Sequence, residues 1–323
     1  MIQTLEIENF KSIKHLKMDC RRINLFIGEP NTGKSNILES LGLLSHSYYK
    51  RYSEELKQFV RFETVSNQFY DDNLEDKIKI RVDQKVFHLE FREGRFVGSY
   101  NNQEAFRYGY EGKFMGEPGL DELMPFKYYK FEVRRDFPRQ ESEFLLPPSA
   151  ANLLALILAH KNLKRLVRQL FETCGLRVVL KPQENKIEVQ KEREDIIISH
   201  PYSLVSDTLQ RVIFHLVAIE TNKNSIIMFE EPEAHAFPYY TKYLAERIAL
   251  DQNNNQYFIS THNPYLLLSI LEKAPKDDVG IFITYFENYQ TKVKPLSEKE
   301  LEEIMGMGID IFFDIERFLE VKK

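Results

Sequence analysis

The sequence of 323 residues lacks the features of a disulfide-rich, membrane-spanning or strongly basic protein. Its two cysteines, Cys20 and Cys174, lie far apart without a CxxC spacing, which argues against a disulfide framework or a cysteine zinc site. The longest apolar runs, such as residues 153–159, are far shorter than the roughly 20 residues of a membrane span. Residues 1–10 contain no apolar segment typical of a signal peptide. We therefore expect a cytoplasmic protein that does not enter a membrane.

The charge balance also limits the partners. The net charge is −5, whereas a chain that coats nucleic acid by bulk charge is basic. Contact with DNA would therefore need a local patch or a partner. The 43% hydrophobic and 29% charged residues are an ordinary globular balance, so the chain has enough apolar surface for a core.

The order of apolar patterns predicts an α/β protein. Strand, helix and strand alternate near both ends of the chain, with short strand-like segments from about 78 to 131 and helical periodicity from 147 to 174. Such alternation predicts a mostly parallel sheet flanked by helices, plus an inserted lobe. We assign one domain, with residues 1–147 and 200–323 as its core and residues 148–199 as an inserted helical lobe. The core includes an antiparallel β subdomain.

A glycine-rich loop at residues 28–35 fits the pattern G-x-x-x-x-G-K-[ST] at each fixed position. An apolar strand at 22–27 precedes it, and a helix is predicted from Ser35 to about Ser47. Its glycines allow backbone N–H groups to surround phosphates at a helix N-terminus. The sequence therefore predicts an ATP site in which Lys34 reaches the β- and γ-phosphates and the Ser35 hydroxyl binds Mg²⁺. The other predicted contacts from this loop are Gly28, Asn31, Thr32, Gly33 and Asn36.

Two acids follow the apolar strand Ser225–Phe229, and a histidine follows the next strand. Ligands of α/β sheets bind at the carboxyl ends of strands. We expect Glu230 to hold Mg²⁺ and Glu231 to orient or deprotonate the attacking water, because phosphoryl transfer depends on positioning and electrostatics. His262 is placed to reach the γ-phosphate or that water.

The order of these motifs resembles the ABC ATPase superfamily. The segments ENFKSI (8–13), FEEPEAH (229–235) and STHNP (260–264) are similar to its RecF/SMC branch, and most similar to the ATPase half of OLD-family proteins. The resemblance implies that Lys11 and Ser12 approach the nucleotide, that His262 is the switch histidine, and that FEEPEAH contains the Walker B acids and the D-loop region, where we expect His235 to contact another subunit.

The resemblance also implies a site completed by a second subunit. The segment LVSDTLQ (204–210) lies where the family carries its signature motif, and Ser206 and Gln210 match it. Asp207 replaces the signature glycine, and an acid near a triphosphate is unfavourable unless it is paired. The alternative is that Ser206 is an ordinary helix N-cap. By position alone, Gln140 is a candidate for the Q-loop ligand of the metal.

Two groups of basic residues are candidates for contact with DNA or a partner, although most charge runs are solvated helix faces. They are Lys161, Lys164, Arg165 and Arg168 in one segment, and Arg134, Arg135 and Arg139 in the other. Too few residues follow His262 for the nuclease domain of an OLD protein. We therefore expect a homodimer or higher oligomer that regulates a separate effector, a nuclease or toxin, in anti-phage defence or DNA repair.

Two other functions remain open at this point. The ATP-hydrolysing subunit of a membrane transporter would share the loop, the acids and the histidine. A non-hydrolysing ATP sensor would bind nucleotide only to lock an oligomer, but the presence of both Glu231 and His262 argues against it.

Overall fold

A computed structural model describes residues 1–52, 55–112, 120–138, 140–307, 311–312 and 314–319. Its strands are β1 (Thr4–Phe10), β2 (Ile13–Asp19), β3 (Ile23–Ile27), β4 (Ile78–Val82), β5 (Lys85–Arg92), β6 (Arg95–Tyr100), β7 (Gln103–Tyr108), β8 (Phe126–Tyr129), β9 (Arg177–Lys181), β10 (Lys186–Arg193), β11 (Ile196–Pro201), β12 (Ile226–Glu230), β13 (Gln256–Ser260), β14 (Val279–Glu287) and β15 (Gln290–Pro295). Its helices are α1 (Lys34–Tyr49), α2 (Leu56–Phe59), α3 (Leu153–Ala159), α4 (Lys161–Glu172), α5 (Asp207–Thr221), α6 (Pro238–Ala249), α7 (Pro264–Lys273), α8 (Glu298–Met307) and α9 (Ile315–Leu319).

The central sheet has the order β15-β14-β3-β13-β12-β8. All of its strand pairs are parallel except β14 with β15. Each parallel strand is a nearly continuous apolar run because both faces of the sheet are covered. The carboxyl ends of β3, β12 and β13 therefore lie side by side at one edge, which brings the glycine-rich loop, the two acids and His262 together.

Side chains alternate between two hydrophobic cores on the two faces of this sheet. Leu25 and Ile259 contribute to the core with α5, α6 and α7, whereas Phe26 and Phe258 contribute to the core with α1 and the antiparallel sheet. The Phe26 ring stacks on Phe258 and Phe282, with centroids 6.4 and 5.5 Å away. Truncation of such a ring to alanine typically costs about 3–5 kcal/mol, so this core holds the strand that carries the loop.

Two smaller sheets complete the architecture. The antiparallel sheet β2-β1-β4-β5-β6-β7 packs over α1, and the antiparallel sheet β11-β10-β9 follows α4. The predicted fold class is confirmed. The inserted segment 148–199 contains the two helices α3 and α4 but also most of this three-stranded sheet, so it is helical only in its first half. In the described part of the chain, no helix is both long and apolar enough to cross a membrane.

Candidate functional site

The glycine-rich loop is held in place by the β14–β15 hairpin. Gly28 and Gly33 have φ angles of 150° and 94°, a region that glycine adopts without steric cost. A Cβ atom on Gly28 would lie 2.3 Å from the carbonyl oxygen of Thr284, and one on Gly33 would lie 2.0 Å from Thr291 Oγ1. Both positions therefore require glycine for conformation and for space. The sequence motif predicted the loop but not the hairpin that supports it.

Lys34 lies at the N-terminus of α1 with its amine directed back along the loop. Its Nζ donates to the carbonyl oxygens of Gly28 and Glu29, at 2.9 and 2.7 Å. Burial lowers the pKa of Lys34 to about 8, although the charges of Glu231 and Glu29 oppose this change. Thr32, also buried, donates to the carbonyl of Glu29 and contacts the Thr284 hydroxyl. The loop is thus ordered and carries a cation where phosphates would bind.

The Ser35 hydroxyl and the Glu230 carboxylate are in direct contact. Ser35 Oγ donates to Glu230 Oε1, and the hydroxyl of Tyr128 donates to Glu230 Oε2 over 3.3 Å. A hydroxyl and a carboxylate at this position form the oxygen donor set that Mg²⁺ prefers. The residues present therefore fit Mg²⁺, and the metal roles of Ser35 and Glu230 stay predictions.

A cluster of charges that the sequence analysis missed adjoins Glu230. The buried Glu39 of α1 contacts Lys11 Nζ with one oxygen and Arg61 Nε with the other, the latter at 2.6 Å. Arg61 Nη2 lies 3.6 Å from Glu230 Oε1. Glu39 is fully buried in α1, where a charge needs partners, but the sequence pattern did not show this burial. Arg61 lay in a segment without a motif and gave no signal.

Ser12 and Asn36 connect the first hairpin to the loop helix. Asn36 Nδ2 donates to Ser12 Oγ at 2.7 Å, and Ser12 Oγ lies 2.7 Å from Thr291 Oγ1. Asn31 is exposed in the loop with a φ of 62°. Ser12 and Asn36 thus lie together beside the loop helix, and the predicted nucleotide contacts of Lys11, Ser12, Asn31 and Asn36 stay predictions.

Glu231 and His262 meet at the carboxyl end of β12 and β13. Glu231 has a φ of 43° and donates its N–H to the carbonyl of Ser260 over 3.0 Å. Asn263 caps α7 by accepting the N–H of Tyr265. His262 therefore lies in the short turn between the end of β13 and the start of α7. His262 Nε2 lies 3.4 Å from Glu231 Oε1.

The protonation state of His262 follows from its surroundings. Partial burial and the charge of Lys34 lower its pKa, whereas Glu231 opposes them. A histidine with a lowered pKa is mainly neutral near pH 7 and can accept a proton. His262 and Glu231 lie together at the strand ends, and their catalytic roles stay predictions.

The segment 204–210 forms the N-terminus of α5. Ser206 is exposed and caps the helix by accepting the N–H of Leu209 over 3.3 Å. Asp207 is paired with Arg211, with 2.7 Å between Oδ2 and Nε, so its charge is compensated. Gln210 is buried, and its Nε2 donates to the carbonyl of Val205 at 2.8 Å. In this state Gln210 supports the turn, whereas the exposed Ser206 is available to a second molecule.

The family model described as AAA_15, AAA ATPase domain, matches residues 1–169 and 160–267. The chain belongs to this family. It is an ABC-type ATPase of the RecF/SMC branch, as the sequence motifs indicated.

Curated relatives match shorter segments of this ATPase. The DNA replication and repair protein RecF of Staphylococcus epidermidis is 34% identical over 64 residues, which are 20% of this chain and 17% of that protein. An ATP/GTP phosphatase of Helicobacter pylori is 34% identical over 88 residues, 25% of this chain and 24% of that protein. The chain therefore spans about a sixth to a quarter of the length of these relatives.

Solved structures resemble this ATPase over nearly its whole length. An SmcHead bound to the C-winged helix domain of ScpA has a TM-score of 0.59 at 14% identity, covering 94% of this chain and 99% of that chain. A Smc head domain bound to the C-terminal domain of ScpA from Pyrococcus furiosus has a TM-score of 0.52 at 12% identity, covering 95% and 98%. At these identities the likeness shows the fold.

Gln140 is the predicted site residue that the structure places elsewhere. It lines a separate cavity with apolar residues of α3, such as Leu154 and Leu158, and with Pro182. Its Oε1 is buried and has no hydrogen-bond partner within the part of the chain that the structure describes. The metal role of Gln140, which was predicted from position alone, stays a prediction, and its described surroundings give no support for it.

The basic candidates lie mainly on surfaces. Lys161, Lys164, Arg165 and Arg168 are exposed on α4, where Arg168 lies 3.4 Å from Glu172. Arg135 is exposed, while Arg134 donates to Ser149. Arg139 lies outside the described residues. A contact of either group with DNA stays a prediction.

Proposed function

We propose that this chain hydrolyses ATP with Mg²⁺, at sites formed between two copies of itself. The observation that carries the proposal is the meeting of Glu231 and His262, 3.4 Å apart, beside the loop that carries Lys34. A binding module needs the loop and its cation. An acid and a neutral histidine placed next to them are the groups that hydrolysis needs in addition.

Each residue of the site has a specific role in this proposal. Lys34 and the N-terminus of α1 bind the phosphates and compensate their charge. Glu231 orients the attacking water and accepts its proton, and His262 contacts the water or the terminal phosphate. Ser35 and Glu230 would hold Mg²⁺, which supplies charge neutralisation to the phosphates. Arg61, tied to Glu39, adds a second cation next to the metal ligands.

The second copy would complete the site through Ser206. Ser206 is exposed at the N-terminus of a helix of 15 residues, and the neighbouring acid Asp207 is neutralised by Arg211. The partial positive charge of such an N-terminus favours a phosphate. A nucleotide bound by one copy would thus be contacted by the other, and ATP would stabilise a homodimer by mass action.

We also propose that the ATPase acts with DNA and regulates a separate effector protein. Support comes from the RecF relatives, described as DNA replication and repair proteins, and from the Smc head structures solved with a ScpA domain. The exposed basic face of α4 is the candidate contact for DNA. The nature of the effector, a nuclease or toxin, rests on the resemblance to OLD-family proteins.

The direct test measures phosphate release from Mg-ATP by the purified chain over a range of protein concentrations. We expect turnover that needs Mg²⁺ and rises with concentration until the dimer saturates. Glu246→Gln is the control, because this acid lies on α6 and pairs with Lys273. Tight ATP binding without turnover would instead identify an ATP sensor. A DNA duplex added to the same assay tests whether DNA alters the rate.

A further inference from the structure

The buried acid Glu233, which follows the two acids of the site, connects two segments of the molecule. Its side chain is among the buried charged groups, with 6% exposure. Its Oε1 accepts the hydroxyl hydrogen of Thr261, the residue before His262. Thr261 Oγ1 in turn accepts the N–H of Asn263 over 3.0 Å. The carboxyl of Glu233 is therefore bound to the backbone turn that carries His262.

The second oxygen of Glu233 is unusual for a buried acid. Among the described residues Oε2 has no hydrogen-bond partner although it is buried, and an unsatisfied buried polar atom is destabilising. Burial raises the pKa of this carboxyl to about 7, and the hydrogen bonds from Thr261 and from the backbone of Glu233 and His262 oppose the change.

The D-loop, residues 231–236, links Glu233 to the signature segment. It consists of two successive turns, in which the N–H of Ala234 bonds to the carbonyl of Glu231 and the N–H of Ala236 to that of Glu233, both at 2.9 Å. His235 has a φ of 59°, and its carbonyl accepts the hydroxyl of Thr208 over 2.6 Å. Thr208 lies two residues after Ser206, in the first turn of α5. Hydrogen bonds thus form a continuous path from Thr261 through Glu233 and the D-loop to Thr208.

We propose that Glu233 is a positioning residue that couples the placement of His262 to the signature helix α5. This inference rests on the proposed function. A movement of α5, when Ser206 meets a nucleotide on the other copy, would pass through the His235 carbonyl to the D-loop. Glu233 would transmit it to Thr261 and so set the position of His262 next to Glu231. Hydrolysis would then depend on the contact between copies, whereas nucleotide binding by the loop would not.

The variants Glu233→Ala, Glu233→Gln and Thr208→Val separate this role from a structural one. Glu233→Ala removes the contact with Thr261, and we expect kcat to fall roughly tenfold or more, by misplacement of His262, with the Kd for ATP unchanged. Glu233→Gln keeps an oxygen that can accept from Thr261, so it should recover most of kcat. Thr208→Val removes only the hydroxyl that binds the D-loop and should lower kcat in the same way.

The matched control is Asp251→Ala, in the segment that precedes β13. Asp251 Oδ2 accepts from the hydroxyl of Tyr257 at 2.7 Å, so the substitution removes a comparable side-chain contact at the end of β13 opposite to the site. We expect it to alter thermal stability without the selective loss of kcat.

The double variant Glu233→Ala/Thr208→Val decides the coupling, because residues of one network are non-additive. We expect the kcat of the double variant to equal the kcat of the less active single variant. Losses that multiply overturn the inference, as does a fall of kcat in Asp251→Ala equal to that in Glu233→Ala. If the losses multiply but the wild-type protein hydrolyses ATP, only the coupling through Glu233 is overturned. If the wild-type protein does not hydrolyse ATP, the coupling and the proposed ATPase function are both overturned.

Discussion

The two sides of the candidate site differ in which side chains they expose. On the loop side the groups are paired within the chain: Ser35 with Glu230, Glu39 with Lys11 and Arg61, and Lys34 with backbone carbonyls. On the signature side Ser206 is exposed, and large apolar side chains face outward beside it, with Leu204 73%, Phe237 69% and Tyr239 67% exposed.

This difference indicates how the site is assembled. The loop side is ordered by contacts within one chain, so it can bind a nucleotide once the Lys34 amine exchanges the loop carbonyls for phosphate oxygens. Apolar groups exposed near each other typically mark a contact surface. We therefore expect substitutions on the loop side to affect binding and chemistry in a single chain, and substitutions on the signature side to act only through a second copy.

We expect the largest effect on turnover from Glu231→Gln, at the carboxyl end of β12 on the loop side. The amide keeps the shape but cannot accept a proton, so turnover should fall by about 10²-fold or more, with ATP still bound. Phosphate release and equilibrium binding of labelled ATP measure the two quantities. Hydrolysis at the wild-type rate would assign the role of Glu231 to another group.

Substitution of Lys34 by methionine should abolish or strongly weaken ATP binding. A hydrogen bond to a charged group contributes about 1.5–3 kcal/mol, which corresponds to a loss of affinity of about 10- to 100-fold. Methionine has a similar length without the charge. Unchanged affinity for labelled ATP in this variant would contradict the assignment of the loop.

The signature side is tested by mixing two inactive variants. Ser206→Arg should block closure without preventing ATP binding, and Lys34→Met should lack a working loop. In a mixed dimer, the loop of the first variant would face the intact signature of the second. Random pairing gives half mixed dimers with one competent site each, so activity should return to about a quarter of the wild-type level.

Lack of recovery in that mixture, together with turnover of a monomer that does not depend on concentration, would contradict a site shared between copies. Light scattering of Glu231→Gln with Mg-ATP provides the independent measurement. This variant should accumulate the closed dimer, because it binds nucleotide without consuming it. A mass that stays monomeric in all conditions would count against the proposal.

The two sides also differ in how far the sequence predicted them. The loop, the acid pair and His262 are local patterns whose strand and helix context fixes their positions, and the structure brings them together. Arg61 and Thr291 reach the site only through tertiary contacts across 22 and 279 residues, which no local pattern reveals. Gln140 was predicted from order along the chain alone, and chain order does not determine which cavity a loop residue lines.

Arg61→Ala should have a smaller effect than the substitutions above. Arg61 is 57% exposed in its side chain and lies 3.6 Å from Glu230, so we expect kcat to fall about tenfold or less, with ATP affinity lowered only slightly. Arg51→Ala is the control, since Arg51 lies on the same segment and pairs with Asp121. Equal rates for the two variants would show that Arg61 does not contribute to the site.

The smallest expected effect is a dependence of ATP affinity on pH. It tests whether burial on the loop side lowers the pKa of Lys34. Burial lowers the pKa of Lys34 to about 8, so the amine is mainly cationic at pH 7 and mainly neutral at pH 8.5. The cationic form binds phosphates, and affinity should therefore fall as the pH rises, by about fourfold between these two values. Binding at pH 8.5 should also take up a proton, because a nearby phosphate favours the charged amine. Calorimetry in two buffers of different ionisation enthalpy measures this uptake.

In Lys34→Met the part of the pH dependence caused by Lys34 should vanish, while any titration of the nucleotide itself should remain. An identical pH dependence in both proteins would mean that Lys34 keeps its proton throughout this range, and that burial at the loop is compensated by more charge than Glu231 and Glu29 supply.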